Sequence, residues 1–191
     1  MKWLLILLLC GTCFAELDTV RTFFDDGKPY RVYTVKKGTD VREGVLKSYH
    51  PNGILAVEAS YKEGKLDGVY KSYYENGKLW QTIGYRDGVE EGLFTTYYES
   101  GSKKSKESYK NGELNGVTEE YTESGKLKRK LPYENGSLNG VAKVYDELGA
   151  LTEDMTFENG YRHGPYRRYN KGIKVFEAMF KKNRCVENCD F

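Results

Sequence analysis

The sequence predicts an all-β protein, an elongated antiparallel meander of stacked β-hairpin repeats. Three observations predict this fold. Glycines recur at intervals of 24 residues, aromatic residues recur in the same phase, and Asn-Gly or Asp-Gly pairs punctuate the chain. These two pairs are the strongest short hairpin signals because they tolerate positive φ angles. The segments between the turns run for about seven to eight residues, which suits strands but is short for helices.

Glycines and aromatic residues mark the repeat directly. Three glycine series keep the 24-residue spacing: Gly44, Gly68, Gly92, Gly116, Gly140 and Gly164; Gly53, Gly77, Gly101, Gly125 and Gly149; and Gly64, Gly88, Gly112, Gly136 and Gly160. Two aromatic series keep it as well: Tyr49, Tyr73, Tyr97, Tyr121, Tyr145 and Tyr169; and Tyr61, Tyr85, Tyr109, Tyr133 and Phe157. A fixed period of this length indicates a repeat architecture whose units contact mainly their neighbours.

Each repeat is predicted to form one hairpin. In the second repeat, the segment GVYKSYY leads to the turn Asn76-Gly77, and the segment KLWQTIGY leads to the turn Asp87-Gly88. Because side chains alternate between the two faces of a strand, the pattern also assigns faces.

The predicted core face combines one set of positions from each strand of the hairpin. In the first strand, Val45 and Tyr49 share a face, and their counterparts in later repeats are Val69, Leu93, Val117 and Val141 with the following tyrosines. In the second strand of the first repeat, four residues share a face: Leu55, Val57, Ala59 and Tyr61. We expect both sets to stack into aliphatic and aromatic ladders in the core.

The period divides the chain into four parts. We predict a signal peptide over residues 1–15 and an N-terminal cap with a partial repeat over residues 16–43. Five full repeats and the start of a sixth follow over residues 44–172, and a last strand with a C-terminal cap completes residues 173–191. One hairpin cannot bury its apolar face alone, so stacked neighbours and capped ends are required.

The first fifteen residues, MKWLLILLLCGTCFA, have the order of a secretory signal peptide. A positive start is followed by an apolar centre and small residues, and the apolar run is too short to span a membrane. The sequence therefore predicts a secreted protein, or one of the periplasm or cell envelope. A lipoprotein anchored at Cys10 or Cys13 is a less favoured alternative, because Leu9 and Thr12 do not match the residue that usually precedes a lipidated cysteine.

Two further cysteines, Cys185 and Cys189, lie close together near the C-terminus. In an exported chain, such a pair favours a disulfide that closes the chain end. A metal site and free thiols are the alternatives. Two cysteines without nearby histidine or clustered acidic residues make an incomplete metal site.

The repeat pattern G-x-x-x-x-Y-x-x-x-G-x-L-x-x-x-x-x-Y-x-x-G resembles the MORN family, and more closely its bacterial variant. Matching segments are GVYKSYYENGKLWQTIGYRDGV over residues 68–89 and GVTEEYTESGKLKRKLPYENGS over residues 116–137. The similarity covers roughly residues 24–182. It implies an interaction scaffold for proteins or membranes, and some bacterial relatives carry an antitoxin label that fits an exported chain poorly. No catalytic residue follows from the resemblance, because the shared positions are turn glycines and core aromatic residues.

The sequence predicts no catalytic residue, no cofactor and no metal site. His50 and His163 lie in turns, without a repeated partner. The pairs Glu90-Glu91 and Glu119-Glu120 are adjacent on strands, so their carboxylates are expected to point to opposite faces. The 30 Lys and Arg residues nearly balance 28 Asp and Glu residues, which argues against a nucleic-acid partner.

Lysines of the third and fourth repeats are candidates for a basic patch on the outward face. Stacked hairpins would place these residues about one strand pair apart: Lys104, Lys106, Lys126, Lys128 and Lys130. Such a patch could contact an anionic polymer or lipid head groups. The alternative is a solvated face whose like charges prevent aggregation.

Five aromatic residues are candidates for a binding surface, because the repeat does not require them: Tyr70, Tyr74, Trp80, Phe94 and Tyr98. Exposed aromatic residues on a flat sheet are plausible contact anchors. The alternative is that they form a second core face. Together these features predict an exported, non-enzymatic repeat protein that acts as a scaffold or adaptor for another protein. The alternatives are a protein that binds an envelope glycan or anionic lipid, and an antitoxin-like neutraliser of a partner protein.

Overall fold

The computed structural model describes residues 16–190, and the regular secondary structure in that range is entirely β-strand. Its 18 strands are β1 (Leu17–Phe23), β2 (Pro29–Lys36), β3 (Arg42–Tyr49), β4 (Leu55–Lys62), β5 (Lys65–Leu66), β6 (Gly68–Tyr73), β7 (Leu79–Arg86), β8 (Val89–Tyr97), β9 (Lys103–Lys110), β10 (Glu113–Leu114), β11 (Gly116–Tyr121), β12 (Leu127–Glu134), β13 (Ser137–Leu138), β14 (Gly140–Tyr145), β15 (Leu151–Glu158), β16 (Tyr161–Asn170), β17 (Ile173–Lys181) and β18 (Arg184–Glu187). Over these residues there is no helix that is long and apolar enough to cross a membrane.

The strands form one open antiparallel sheet in which neighbours in sequence are neighbours in space. Each long strand pairs with the next long strand, from β1 with β2 to β16 with β17, and β18 follows β17. The two-residue strands β5, β10 and β13 pair back onto the strand before them, and the next long strand then continues the same pairing. The predicted all-β meander of hairpin repeats is confirmed.

Two kinds of turn alternate along the chain and define the two long edges of the sheet. At the long-turn edge, Tyr74 and Lys78 enclose three residues, and the Gly77 amide donates to the Tyr74 carbonyl at 2.9 Å. At the short-turn edge, Asp87 and Gly88 have φ angles of 53° and 85°, as a two-residue type I′ hairpin turn requires. Both predicted turns of the second repeat are therefore present.

Hydrogen bonds join successive repeats along both edges. At the long-turn edge, side chains of one repeat bond to backbone carbonyls of the next, 23 residues on: His50 Nε2 with Tyr73 at 2.9 Å, Tyr74 with Tyr97 at 2.7 Å, and Tyr98 with Tyr121 at 2.8 Å. At the short-turn edge, turn glycines donate to the preceding repeat, as Gly88 does to the Leu66 carbonyl at 2.7 Å. These bonds fix the stacking of one hairpin on the next.

One face of the sheet, which we call the packed face, carries the core. The register places Leu46 opposite Ala59 and Tyr70 opposite Ile83, and Ala59 and Ile83 are 1% and 8% exposed. Many of the buried residues are small, and large aromatic rings such as Tyr85 stand among them. The buried residues of the core therefore share this one face of the sheet with partly exposed aromatic residues.

The opposite face, which we call the open face, corrects the predicted core. The residues at the position of Val45 were expected in the core but are 41–54% exposed: Val45, Val69, Leu93, Val117 and Val141. The prediction was wrong because Leu46, and not Val45, lies opposite Ala59 in the register. Ala59 was assigned correctly to the core. The prediction therefore combined in one core two sets of residues that lie on opposite faces of the sheet.

At the C-terminal end, β18 and the residues after it close the sheet. The structure contains the predicted disulfide between Cys185 and Cys189. At the other end, β1 and β2 extend the same sheet before the first full repeat. The predicted signal peptide, with Cys10 and Cys13, lies outside the described residues.

Candidate interaction surfaces

Three of the predicted aromatic residues surround one cavity at the long-turn edge, between the first and second repeats. Tyr70, Tyr74 and Trp80 line this cavity of about 370 Å³. Trp80 is 46% exposed, and its ring centroid lies 6.1 Å from that of Tyr74 with an interplanar angle of 43°. The remaining lining residues are His50, Ala56, Val57, Ser72, Tyr73 and Glu75. We call this cavity the aromatic cleft.

Ser72 gives the aromatic cleft a buried polar group without a partner. The residue is 3% exposed, and its hydroxyl has no hydrogen-bond partner within residues 16–190. An unpaired buried hydroxyl costs about 1–3 kcal/mol, so such groups are uncommon in folded proteins. Sequence reasoning missed Ser72 because a lone serine on a strand carries no signal; its burial depends on the register.

Two further side chains of the cleft are held by the backbone of the next repeat. The Tyr73 carbonyl can only accept, so His50 must carry a proton on Nε2, and Nδ1 of the neutral ring is then an acceptor. The Tyr74 hydroxyl donates to the Tyr97 carbonyl at 2.7 Å. Burial raises the pKa of Tyr74, and the nearby Glu99 carboxylate adds to the shift. Both rings are therefore fixed before any ligand arrives.

Tyr70 and Phe94 stand on the packed face, in register with the buried Ile83. The Tyr70 ring contacts Tyr85 edge-on at 6.4 Å, and the Phe94 ring contacts Tyr109 in the same manner at 6.1 Å. Burial is the main cause of the raised pKa of Tyr70. These two residues are partly covered core members, although Tyr70 also reaches the aromatic cleft.

Tyr98 occupies the equivalent of the Tyr74 position, and both basic and acidic residues, among them Glu107, line the cavity beside it. Tyr98, Lys104 and Lys128 line a cavity of about 360 Å³ between the third and fourth repeats. The Lys104 ammonium lies 5.6 Å from the centroid of the Tyr98 ring. Other lining residues include Glu120 and Arg129, which pair with each other at 2.6 Å. We call this cavity the lysine cleft.

The other predicted lysines do not join the lysine cleft, so the five lysines do not form one patch. Lys106 and Lys130 both lie opposite Glu119 in the sheet, and Lys130 Nζ is 3.2 Å from its carboxylate. The hydrogen bond from the Tyr121 hydroxyl lowers the pKa of Glu119, and the two lysines lower it further. Lys126 is exposed at the long-turn edge.

The exposed residues at the position of Val45 form a regular row on the open face. Val45, Val69 and Leu93 lie opposite Ser60, Gly84 and Ser108 in the register. Successive members are two strands apart, or about 10 Å, and Pro132 takes the place of the small residue between Val117 and Val141. We call the set Val45, Val69, Leu93, Val117 and Val141 the apolar stripe. Sequence reasoning did not propose it as a surface, because its periodicity was attributed to the core.

A row of mainly charged residues runs beside the apolar stripe. In the order of the register it comprises Lys47, Glu58, Lys71, Thr82, Thr95, Lys106, Glu119, Lys130, Lys143, Asp154, Arg167 and Glu177. Glu58 lies 3.9 Å from Lys47 and 4.0 Å from Lys71. Asp154, the one buried acid of this row, accepts a hydrogen bond from the Tyr169 hydroxyl at 2.8 Å. Opposite charges directly across strands stabilise the pairing.

Neither histidine belongs to a group of described residues that could hold a metal ion. Over residues 16–190, no group of three or more His, Cys, Asp or Glu side chains is placed to hold a metal ion. His50 is bonded to a backbone carbonyl, and His163 Nδ1 lies 3.4 Å from the exposed Glu158 carboxylate.

The fold and these surfaces define a repeat protein built from stacked β-hairpins. A family model described as MORN repeat variant matches residues 42–63, 66–87, 90–111 and 114–135. The chain belongs to the MORN-repeat family. Repeats of this family are generally protein- or membrane-interaction modules and are typically non-catalytic. No curated protein matches the chain.

Proposed function

We propose that the protein is a non-enzymatic scaffold that binds another protein through its open face. The observation that carries the proposal is the apolar stripe, whose five members keep 41–54% of their surface exposed. Five exposed aliphatic side chains aligned in one row of a sheet face offer a partner a regular series of apolar contacts. A partner that covers the stripe gains the burial energy of five aliphatic side chains.

The surroundings of the stripe suit a protein partner. Small residues such as Ser60 and Gly84 separate the aliphatic side chains, so the stripe is a series of low ridges about 10 Å apart. Side chains of a partner can fill the gaps between the ridges. The neighbouring row of mainly charged residues would then select the orientation of the partner rather than supply most of the affinity.

We also propose that the protein acts outside the cytoplasm. Two features support this part of the proposal. Residues 1–15 have the order of a signal peptide, and the bond between Cys185 and Cys189 is of a kind that persists in oxidising compartments.

The proposed open-face interaction is tested by charges placed on the apolar stripe. The full-length variant V69E/L93E should fold, because both positions are exposed. It should bind at least about tenfold less partner than the wild type does. The measurement is quantitative cross-linking from a photoreactive residue at Val117, in an extract of the source cells. Leu148, which is 84% exposed and lies outside the stripe, supplies the control variant L148E.

Each outcome of this experiment has a defined meaning. A cross-linked protein that is lost in V69E/L93E but kept in L148E supports the proposal. Equal recovery in all three proteins, with unchanged circular dichroism, would place the partner elsewhere.

A second candidate function is binding of an anionic glycan or lipid head group at the lysine cleft. It is favoured by Lys104 and Lys128, which line the same cavity and form no ion pair within residues 16–190. We expect K104E/K128E to abolish binding to vesicles with anionic lipid at low salt. K106E/K130E should have a smaller effect, because Glu119 already offsets both lysines. Binding that is insensitive to salt, or equal in the two variants, contradicts this candidate.

A further inference from the structure

We propose that the aromatic cleft binds an alkylammonium group that carries N–H donors, such as a lysine side chain or a free amine. This site lies at the long-turn edge and not on the open face, so the inference goes beyond the proposed function and stands without it. The argument rests on the charge, the aromatic rings and the unpaired hydroxyl of the cleft.

The lining of the aromatic cleft is suited to a cation. Four of its nine residues are aromatic, one is the exposed Glu75, and none is lysine or arginine. Aromatic faces attract ammonium groups, and tryptophan does so most strongly. The nearest lysines in sequence are engaged elsewhere, because Lys78 donates to the Ser100 carbonyl at 2.7 Å and Lys71 faces Glu58.

The chain itself shows that this position accepts an ammonium group. Lys104 and Tyr98 occupy the positions of Trp80 and Tyr74, 24 residues later, and the Lys104 ammonium lies 5.6 Å from the centroid of the Tyr98 ring. The lysine cleft thus supplies its own cation. In the aromatic cleft, Trp80 replaces the lysine, and the aromatic surface is left without an internal cation.

The polar groups of the cleft select an ammonium with N–H bonds over a quaternary one. The Ser72 hydroxyl has no partner within residues 16–190, and His50 Nδ1 is an acceptor in the neutral ring. With the Glu75 carboxylate, the cleft offers up to three acceptors, which matches the three donors of a primary ammonium group. A quaternary ammonium group could satisfy none of them by an N–H bond.

The test uses the full-length chain with the substitution W3F. The chain has two tryptophans, so Trp80 then reports alone. Fluorescence of Trp80 is titrated with N-acetyl-lysine methylamide, with putrescine, with the neutral norleucine derivative and with the trimethyl-lysine derivative. We expect saturable binding of an amine, at least about fivefold tighter than either the neutral or the trimethylated compound.

The two amine probes distinguish the source of the ligand. Tighter binding of the lysine derivative indicates a lysine side chain of a partner protein, and tighter binding of putrescine indicates a free amine. A methyl glucoside is titrated as well, to test whether the cleft binds a sugar instead of an amine. Saturable binding of the sugar without binding of an amine overturns the proposal, as does the absence of any response.

Two variants test the polar groups of the cleft. E75Q should weaken amine binding about threefold or more, whereas E123Q, at the equivalent exposed position two repeats later, should bind as the wild type does. S72A should weaken binding while raising the melting temperature, because it removes an unsatisfied buried hydroxyl. Unchanged affinity in E75Q, or equal binding of the trimethylated compound, overturns the proposal.

Discussion

The packed face and the open face of this sheet share one 24-residue period but differ in what lies beside each aliphatic side chain. On the packed face, Ile83 stands opposite Tyr70 and close to the Tyr85 row, and it is 8% exposed. On the open face of the same hairpin, Val69 stands opposite Gly84 and is 51% exposed. No second layer of described residues covers either face.

The difference teaches how a single-layer sheet makes a core. Burial here comes from neighbours on the same face, where Ala59 and Ala142 are 1% and 7% exposed. On the open face, Val69 has the small residues Ser60 and Gly84 as neighbours on the adjacent strands, and it remains exposed. The same residue type therefore stabilises the fold on one face and is available to a partner on the other.

The largest effect that follows from this comparison is on stability. Ile83→Ala should lower the free energy of unfolding by about 2–3 kcal/mol, because it removes buried methyl groups from beside fixed rings. Val69→Ala should change it by at most about 0.5 kcal/mol, as expected for an exposed site. Urea denaturation followed by circular dichroism measures both values.

The pair of variants lies on one hairpin, so differences between repeats cannot account for the result. Equal losses in Ile83→Ala and Val69→Ala would show that the two faces are covered alike in solution. That result would also remove the basis for binding at the apolar stripe.

The repeat, the turns and the antiparallel meander could be predicted from the sequence because each has a local signal. The spacing of the glycines gives the length of the repeat. A pair such as Asp87-Gly88 indicates a turn independently of the rest of the fold. The choice of core face has no such signal. Both faces carry aliphatic residues at the same period, and burial depends on which residue lies across the strand, as Ala59 does from Leu46.

The candidate sites were predictable to a similar, limited extent. Tyr74 and Trp80 stood out because the repeat does not require them, and the structure brings them together in the aromatic cleft. The predicted basic patch divides, because Glu119 comes to lie between Lys106 and Lys130 only once β11 pairs with β9 and β12. Ser72 could not be foreseen, since its importance lies in a missing hydrogen bond.

A smaller effect, restricted to alkaline pH, should come from Tyr109 on the packed face. Burial raises the pKa of Tyr109 to about 12, and the hydrogen bond to Glu107 adds to the shift. The folded protein therefore holds this proton above the pH at which the unfolded chain releases it, near 10. The contribution of Tyr109 to stability is complete below about pH 10 and is lost as the pH rises to 12.

Titration of tyrosinate absorbance and unfolding curves between pH 9 and 12 test this expectation. The variant Y109F should lack the most alkaline ionisation step and should lose less stability over that interval than the wild type. F94L, which removes the ring packed on Tyr109 at 6.1 Å, should bring the step to lower pH. An unchanged titration in F94L would contradict burial as the main cause.

The smallest effect is expected for the charge row of the open face. Lys130 and Glu119 are 3.2 Å apart, and their side chains are 42% and 23% exposed. Exposed ion pairs contribute about 0.2–1 kcal/mol because water screens the attraction and ordering the side chains costs entropy. A double-mutant cycle with K130M and E119Q should therefore give a coupling free energy of about 0.5 kcal/mol, decreasing in 1 M salt.

A coupling free energy above about 2 kcal/mol would mean that this ion pair is shielded from solvent. The open face would then be covered in solution, which contradicts the exposure of its aliphatic residues. A weak coupling is what a face kept free for a partner requires, since its charges are stabilised mainly by water until the partner binds.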